Sequence, residues 1–312
     1  MARLAIHRPI HRRRVVLFLL LAFGLAWATA LVIYGMGGLN GGPALVPGVL
    51  NLATVLVALV YMPAPALAHV LTRLWTREGW QGSGLRPHLR RAWPYWLAAW
   101  VLPALLTLLG SGLYFLLFPH QFDPSLGVLR QLLAQAGRAE PPISLSALAA
   151  LQLIQAVLLA PLVNGLFTFG EEFGWRAYLQ PKLLPLGWRP AMVLMGIIWG
   201  LWHAPLIAMG HNYGVGYPGA PWSGILAMIW FTFVVGTFLG WLTVQGRSVW
   251  PAVIGHAAIN GVGTFPALLT QGEPNPLLGP LPVGLIGSAG FTLVALWCLW
   301  REPTGGAGDE EG

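Results

Sequence analysis

Apolar residues run along this chain in long blocks, separated by short clusters of Arg, Pro, Gly and other polar residues. Eight blocks approach the roughly twenty residues that an α-helix needs to cross a bilayer. They lie at about 15–36, 45–71, 93–118, 143–169, 190–210, 222–245, 249–270 and 280–300. Pro63 and Pro65 should kink the second block or end it early. The pattern predicts an all-α fold: a polytopic membrane helix bundle of about eight transmembrane helices. One membrane-embedded domain is expected over 15–301. A cytoplasmic tail at 1–14 precedes it, and a small acidic tail at 302–312, expected to be disordered, follows. No internal repeat and no separate soluble domain are visible.

Composition supports this reading. Charged residues make up 9% of the 312 positions and hydrophobic ones 56%, whereas a soluble domain carries about 25% charged residues. The single cysteine, Cys298, leaves no intrachain disulfide framework. The net charge of +7 is read as topology and not as nucleic-acid binding. If every block crosses, fifteen of the seventeen Lys and Arg residues fall on one side, and only Arg130 and Arg138 fall on the other. Positive charge gathers on the cytoplasmic side, so both termini are expected there. Arg richness with little Lys points to a prokaryotic cytoplasmic membrane. The first block could be taken for a signal peptide cleaved after Ala28-Thr29-Ala30. Its apolar run continues through Tyr34, so it is read as a span.

Against this apolar background one stretch stands out: Gly170-Glu171-Glu172-Phe173-Gly174-Trp175-Arg176. A charged side chain at the bilayer centre costs roughly 2.5–3.5 kcal/mol on insertion scales, so an intramembrane cluster marks a candidate site. Residues four apart share a helix face, so Glu172 and Arg176 can pair. Glu171 points about 100° away and stays free to take a proton. The plain alternative is a solvated Glu–Arg pair at a helix end. His203 lies in Trp199-Gly200-Leu201-Trp202-His203, before Pro205, and could simply be a hydrogen-bonded histidine inside a bundle. His256 and Asn260 are four apart, and Asn260 could merely glue helices together. Taken together, Glu171, Glu172, His203, His256 and Asn260 could activate a water and stabilise a tetrahedral intermediate. Spacing equally allows Glu171, His203 and His256 to ligate a divalent metal such as zinc. No H-E-x-x-H is present.

The three motifs, E-E-x-x-x-R, aromatic-x-x-x-H and H-x-x-x-N in that order on successive helices, resemble the CPBP family. That family comprises the type II CAAX prenyl endopeptidases and the bacteriocin-processing or immunity proteins. The resemblance covers about 143–265. It implies an intramembrane endopeptidase, usually labelled a metalloprotease, acting on a membrane-associated peptide or protein, prenylated or otherwise lipid-anchored. By it, Glu171 is the base that activates water, assisted by His203. His256 and Asn260 stabilise the oxyanion or help to bind metal, while Glu172, Arg176 and Trp199 shape the site. Two positions depart from the pattern: Trp199 stands where Phe is more usual, and Ala177 where Gly often follows the Arg. The first 140 residues carry no assignable motif. A non-catalytic immunity or scaffold protein of the same family is the alternative. A proton-coupled transporter is a further class, but repeat symmetry is missing.

One geometric demand follows. With spans beginning near Pro190 and Val249, His203 and His256 would differ in depth by about 9 Å. The two helices must then be offset or tilted, and Gln180–Trp188, lying along the interface, would allow it.

Overall fold

Helices form where the apolar blocks are long, and they break where Pro or Gly interrupts them. The computed structural model describes residues 11–46, 48, 50–138 and 141–304. Most of both expected tails, 1–10 and 305–312, therefore lies outside the described residues. The helices are α1 (Arg12–Gly35), α2 (Leu52–Leu56), α3 (Ala64–Thr76), α4 (Leu89–Leu117), α5 (Gly127–Gln135), α6 (Leu145–Leu158) and α7 (Ala160–Gly174). They continue with α8 (Gln180–Leu183), α9 (Trp188–Trp202), α10 (Ala204–Ala208), α11 (Trp222–Gly246), α12 (Trp250–Val262) and α13 (Ala289–Trp300). A short antiparallel hairpin, β1 (Ala44–Val46) and β2 (Leu50–Asn51), caps one end. The all-α membrane bundle is therefore observed.

Among the described residues five helices are long and apolar enough to span, with a sixth if the bent pair Leu145–Leu158 and Ala160–Leu186 counts as one. The count of eight is not confirmed by this, because two expected spans are short. The helix at 188–202 has 15 residues and that at 289–300 has 12, below the usual spanning length. The fourth block also ends later than its apolar pattern suggests. Its helix bends by 47° near Leu159, passes Gly174, and continues through a π-helical turn at Trp175–Leu179 into α8. The carboxylate pair thus sits within a helix and not at a helix end. Gln180–Leu183 continues that same helical run instead of forming a separate interfacial segment.

Close approach of backbones holds the bundle together, as is usual where lipid removes the hydrophobic drive between helices. Gly196 and Gly200 face the backbones of Phe233 and Ile229, where an added Cβ would overlap. Thr232 Oγ1 donates to the Gly196 carbonyl across the same contact, at 2.8 Å. On the other flank, Thr168 Oγ1 donates to the Val253 carbonyl at 3.0 Å, joining α7 to α12.

The basic segments meet at one end of the bundle. Glu78 accepts from Lys182 at 2.7 Å and from Tyr178 at 2.9 Å, and Arg14 lies 3.7 Å away. Burial pushes the Glu78 carboxyl up, but the Lys182 bond and the neighbouring cations outweigh it and hold the group below its ordinary range. Val249 N–H donates to the Gly84 carbonyl, and Arg189 pairs with Glu302 at this end too. Two of the fifteen cations do not belong in such a loop count, however. Arg73 and Arg176 are buried among helices and neutralise groups inside the protein.

Candidate functional site

Three helices present the polar groups, each for a local reason. On α7 the pair Glu171–Glu172 is 3% and 0% exposed, so the solvated helix-end reading does not hold. Arg176, one turn on, follows the start of the π-helical turn, and its NH1 lies 3.0 Å from the Glu172 carboxylate. Both side chains are fully buried. On α12, His256 Nδ1 is 2.8 Å from the same Glu172 Oε1. Glu172 is thereby engaged by two partners, a guanidinium and an imidazole.

Glu171 is placed differently. Its Oε2 accepts the indole N–H of Trp199, on α9, at 2.9 Å. Its Oε1 takes no hydrogen bond from a described residue; Glu172 Oε2 takes none either, but it lies 3.0 Å from the Arg176 guanidinium. The sequence separated the two carboxylates by angle alone; the structure separates them by partner. One is locked in an ion pair, and the other has one oxygen held and one oxygen left.

Trp199 touches Glu171, Arg176, His256 and His203. Its ring lies beneath the Arg176 guanidinium at 4.2 Å. Its edge meets His256 at a centroid distance of 5.3 Å. Its backbone carbonyl is 2.8 Å from His203 Nδ1. A carbonyl only accepts, so His203 carries its proton on Nδ1 and keeps a lone pair on Nε2. Because both imidazoles flank one indole, the depth offset required from the sequence is met.

His203 sits at a helix break between α9 and α10, and Pro205 follows it. The break is gripped from the N-terminal part of the chain. Tyr61 Oη and Trp27 Nε1 both donate to the Trp202 carbonyl, and Tyr61 is delivered by a π-helical turn at Val57–Tyr61. Nothing in the sequence marks Tyr61 or Trp27 as site-related. The only available signal was aromatic residues with polar tips inside apolar blocks, which is common in membranes. Asn260 lies one turn beyond His256 on α12, is exposed, and makes no side-chain hydrogen bond with a described residue.

The donor set was also compared with the metal expected of Glu171, His203 and His256. Among the described residues no three His, Cys, Asp or Glu side chains are placed to hold a metal ion. In this arrangement the three do not fit one, so no step below passes through a metal.

Comparison with known proteins adds a second line. Residues 146–262 match the family described as type II CAAX prenyl endopeptidase Rce1-like. This stretch contains every residue of the site built above except Tyr61 and Trp27. A stretch of 93 residues is 33% identical to "CAAX prenyl protease 2" of Methanococcus maripaludis. It covers 29% of this chain and 34% of that protein, so the chain spans about a third of the length of the curated relative it matches.

Proposed function

We propose, for a chain that belongs through residues 146–262 to the Rce1-like family, that it is an intramembrane endopeptidase whose base is Glu171. The observation that carries this reading is the division of labour between the carboxylates. Glu172 is engaged by Arg176 and His256, while Glu171 keeps Oε1 free opposite a clamped Oε2.

In this account Glu171 Oε1 takes a proton from a water, and the hydroxide adds to the scissile carbonyl carbon. His203 Nε2 accepts a hydrogen bond from the remaining O–H of that water and fixes the direction of attack. The amide of Asn260 donates to the oxyanion. His256, anchored through Nδ1 to Glu172, helps to stabilise the same oxyanion. Collapse breaks the C–N bond, and the protonated Glu171 returns its proton to the leaving amine.

The substrate class follows from location. Buried catalytic groups between membrane helices favour a peptide held at the membrane, and the relative's name points to a prenylated CAAX terminus. The test is cleavage of a peptide ending in a prenylated CAAX sequence by the purified full chain in lipid vesicles. Release of the C-terminal fragment is expected; an intact peptide at all enzyme levels would favour the non-catalytic immunity or scaffold reading.

The orientation belongs to the same proposal. The end that gathers Arg14, Lys182, Arg189 and Arg301 is cytoplasmic, with both termini. Cys298 is fully buried, so single cysteines can be introduced against a quiet background. Leu85→Cys should label from the cytoplasmic side and Val215→Cys from the opposite side. Labelling of both from one side would overturn the topology.

A further inference from the structure

The N-terminal helices carry no motif, yet one of them packs against the back of the carboxylate pair. Gly170 and Gly174 bracket Glu171 and Glu172 on α7. An added Cβ at Gly170 would overlap Pro63, and one at Gly174 would overlap the backbone of Pro65. The start of α3 is thus pressed onto the turn that bears both carboxylates. One helical turn further along α3, His69 adds a polar contact at the same place. Its Nδ1 lies 2.7 Å from the Phe173 carbonyl, and its Nε2 accepts Arg73 Nε–H at 2.6 Å.

These bonds fix the chemistry of His69. The carbonyl can only accept, so the proton is on Nδ1; the guanidinium can only donate, so the Nε2 lone pair is used. Both nitrogens are occupied and the residue is 0% exposed. His69 therefore cannot serve as a base or as a ligand. Its ring also packs at a tilt against Phe173 at 4.2 Å and Tyr178 at 4.6 Å, so it grips the helix on both sides of the start of the π-helical turn. Arg73 is anchored in turn by the Gly79 carbonyl and lies over Trp80 and Tyr178.

We propose that His69 is a positioning residue for the carboxylate pair, acting through the Phe173 carbonyl and touching neither Glu171 nor Glu172. This rests on the reading of Glu171 as the base. The partners of the pair, Trp199 and His256, lie on α9 and α12 and reach it by hydrogen bonds of 2.8–2.9 Å. A small slide or rotation of α7 would break both. Misplacement of a reacting group by about 1 Å can cost on the order of 10² in rate.

Two substitutions separate a polar lock from simple packing. His69→Phe keeps a ring for Phe173 and Tyr178 but removes both hydrogen bonds. His69→Gln loses the ring but keeps one donor and one acceptor. Turnover of the prenylated CAAX peptide would be measured for the full chain in vesicles, with thermal melting alongside. His69→Phe should lower kcat by on the order of 10²-fold at unchanged KM, and His69→Gln should retain most of kcat. Full kcat in His69→Phe, or an equal loss in both variants, overturns the proposal. If His69→Phe does not fold, His69→Gln decides: retained kcat supports the lock, and a hundredfold loss on that same scale contradicts it. Glu171→Gln is assayed in parallel. If it turns over, the reading of the whole site fails. If it is dead while His69→Phe is unimpaired, only the role of His69 fails.

Discussion

Glu171→Gln should remove peptide hydrolysis while leaving the protein folded and inserted. Glutamine keeps the shape of the side chain, and its amide oxygen can still accept the Trp199 indole N–H that now reaches Oε2 at 2.9 Å. What disappears is the ability to take a proton at neutral pH. General-base catalysis contributes about 10²–10⁴-fold, and the returning proton for the leaving amine is lost with it. Because Arg176 and His256 bind Glu172 and not Glu171, the neutral substitution leaves the buried ion pair intact. Melting temperature should therefore be close to that of the unaltered protein while turnover falls to background. A variant that melts early would show instead that Glu171 is part of the structural pair.

Arg176→Ala should act in the opposite way, on folding before chemistry. Arg176 and Glu172 are both fully buried, 3.0 Å apart, and the guanidinium also covers the face of Trp199. Removing one member of a buried pair leaves an uncompensated charge and typically costs about 3–5 kcal/mol. The loss of the cation–π contact adds to this. Folded yield and denaturation midpoint should both fall, and the residual folded fraction should be poorly active because Trp199 loses its cover. Unchanged stability would mean that water already supports Glu172 and that the pair is weaker than its burial implies.

The residues of the candidate site were legible because charge is rare in this chain. Glu171, Glu172, Arg176, His203 and His256 interrupt apolar runs, and helical spacing alone pairs Glu172 with Arg176. Local spacing cannot report what crosses between helices. The Trp199 indole that holds Glu171, the imidazole of His256 on Glu172, and the Tyr61 and Trp27 grip on the Trp202 carbonyl join residues far apart in sequence. The π-helical turn at Trp175–Leu179 was likewise hidden, since its residues read as ordinary helix. It lets the run continue past Gly174, so a span that the apolar pattern ends at 169 extends to 186 and buries Arg176. The count of eight crossings is not confirmed, for a related reason. Hydropathy finds apolar blocks, but the blocks at 190–210 and 280–300 include turns that leave helices only at 188–202, 204–208 and 289–300.

The central claim is that Glu171 activates the water that cleaves a membrane-held peptide. Mass spectrometry of a prenylated CAAX peptide incubated with the full chain in vesicles tests it most directly, with Glu171→Gln in matched vesicles. The account predicts a released C-terminal fragment from the unaltered protein and none above background from Glu171→Gln. Equal fragment release by both proteins would contradict it.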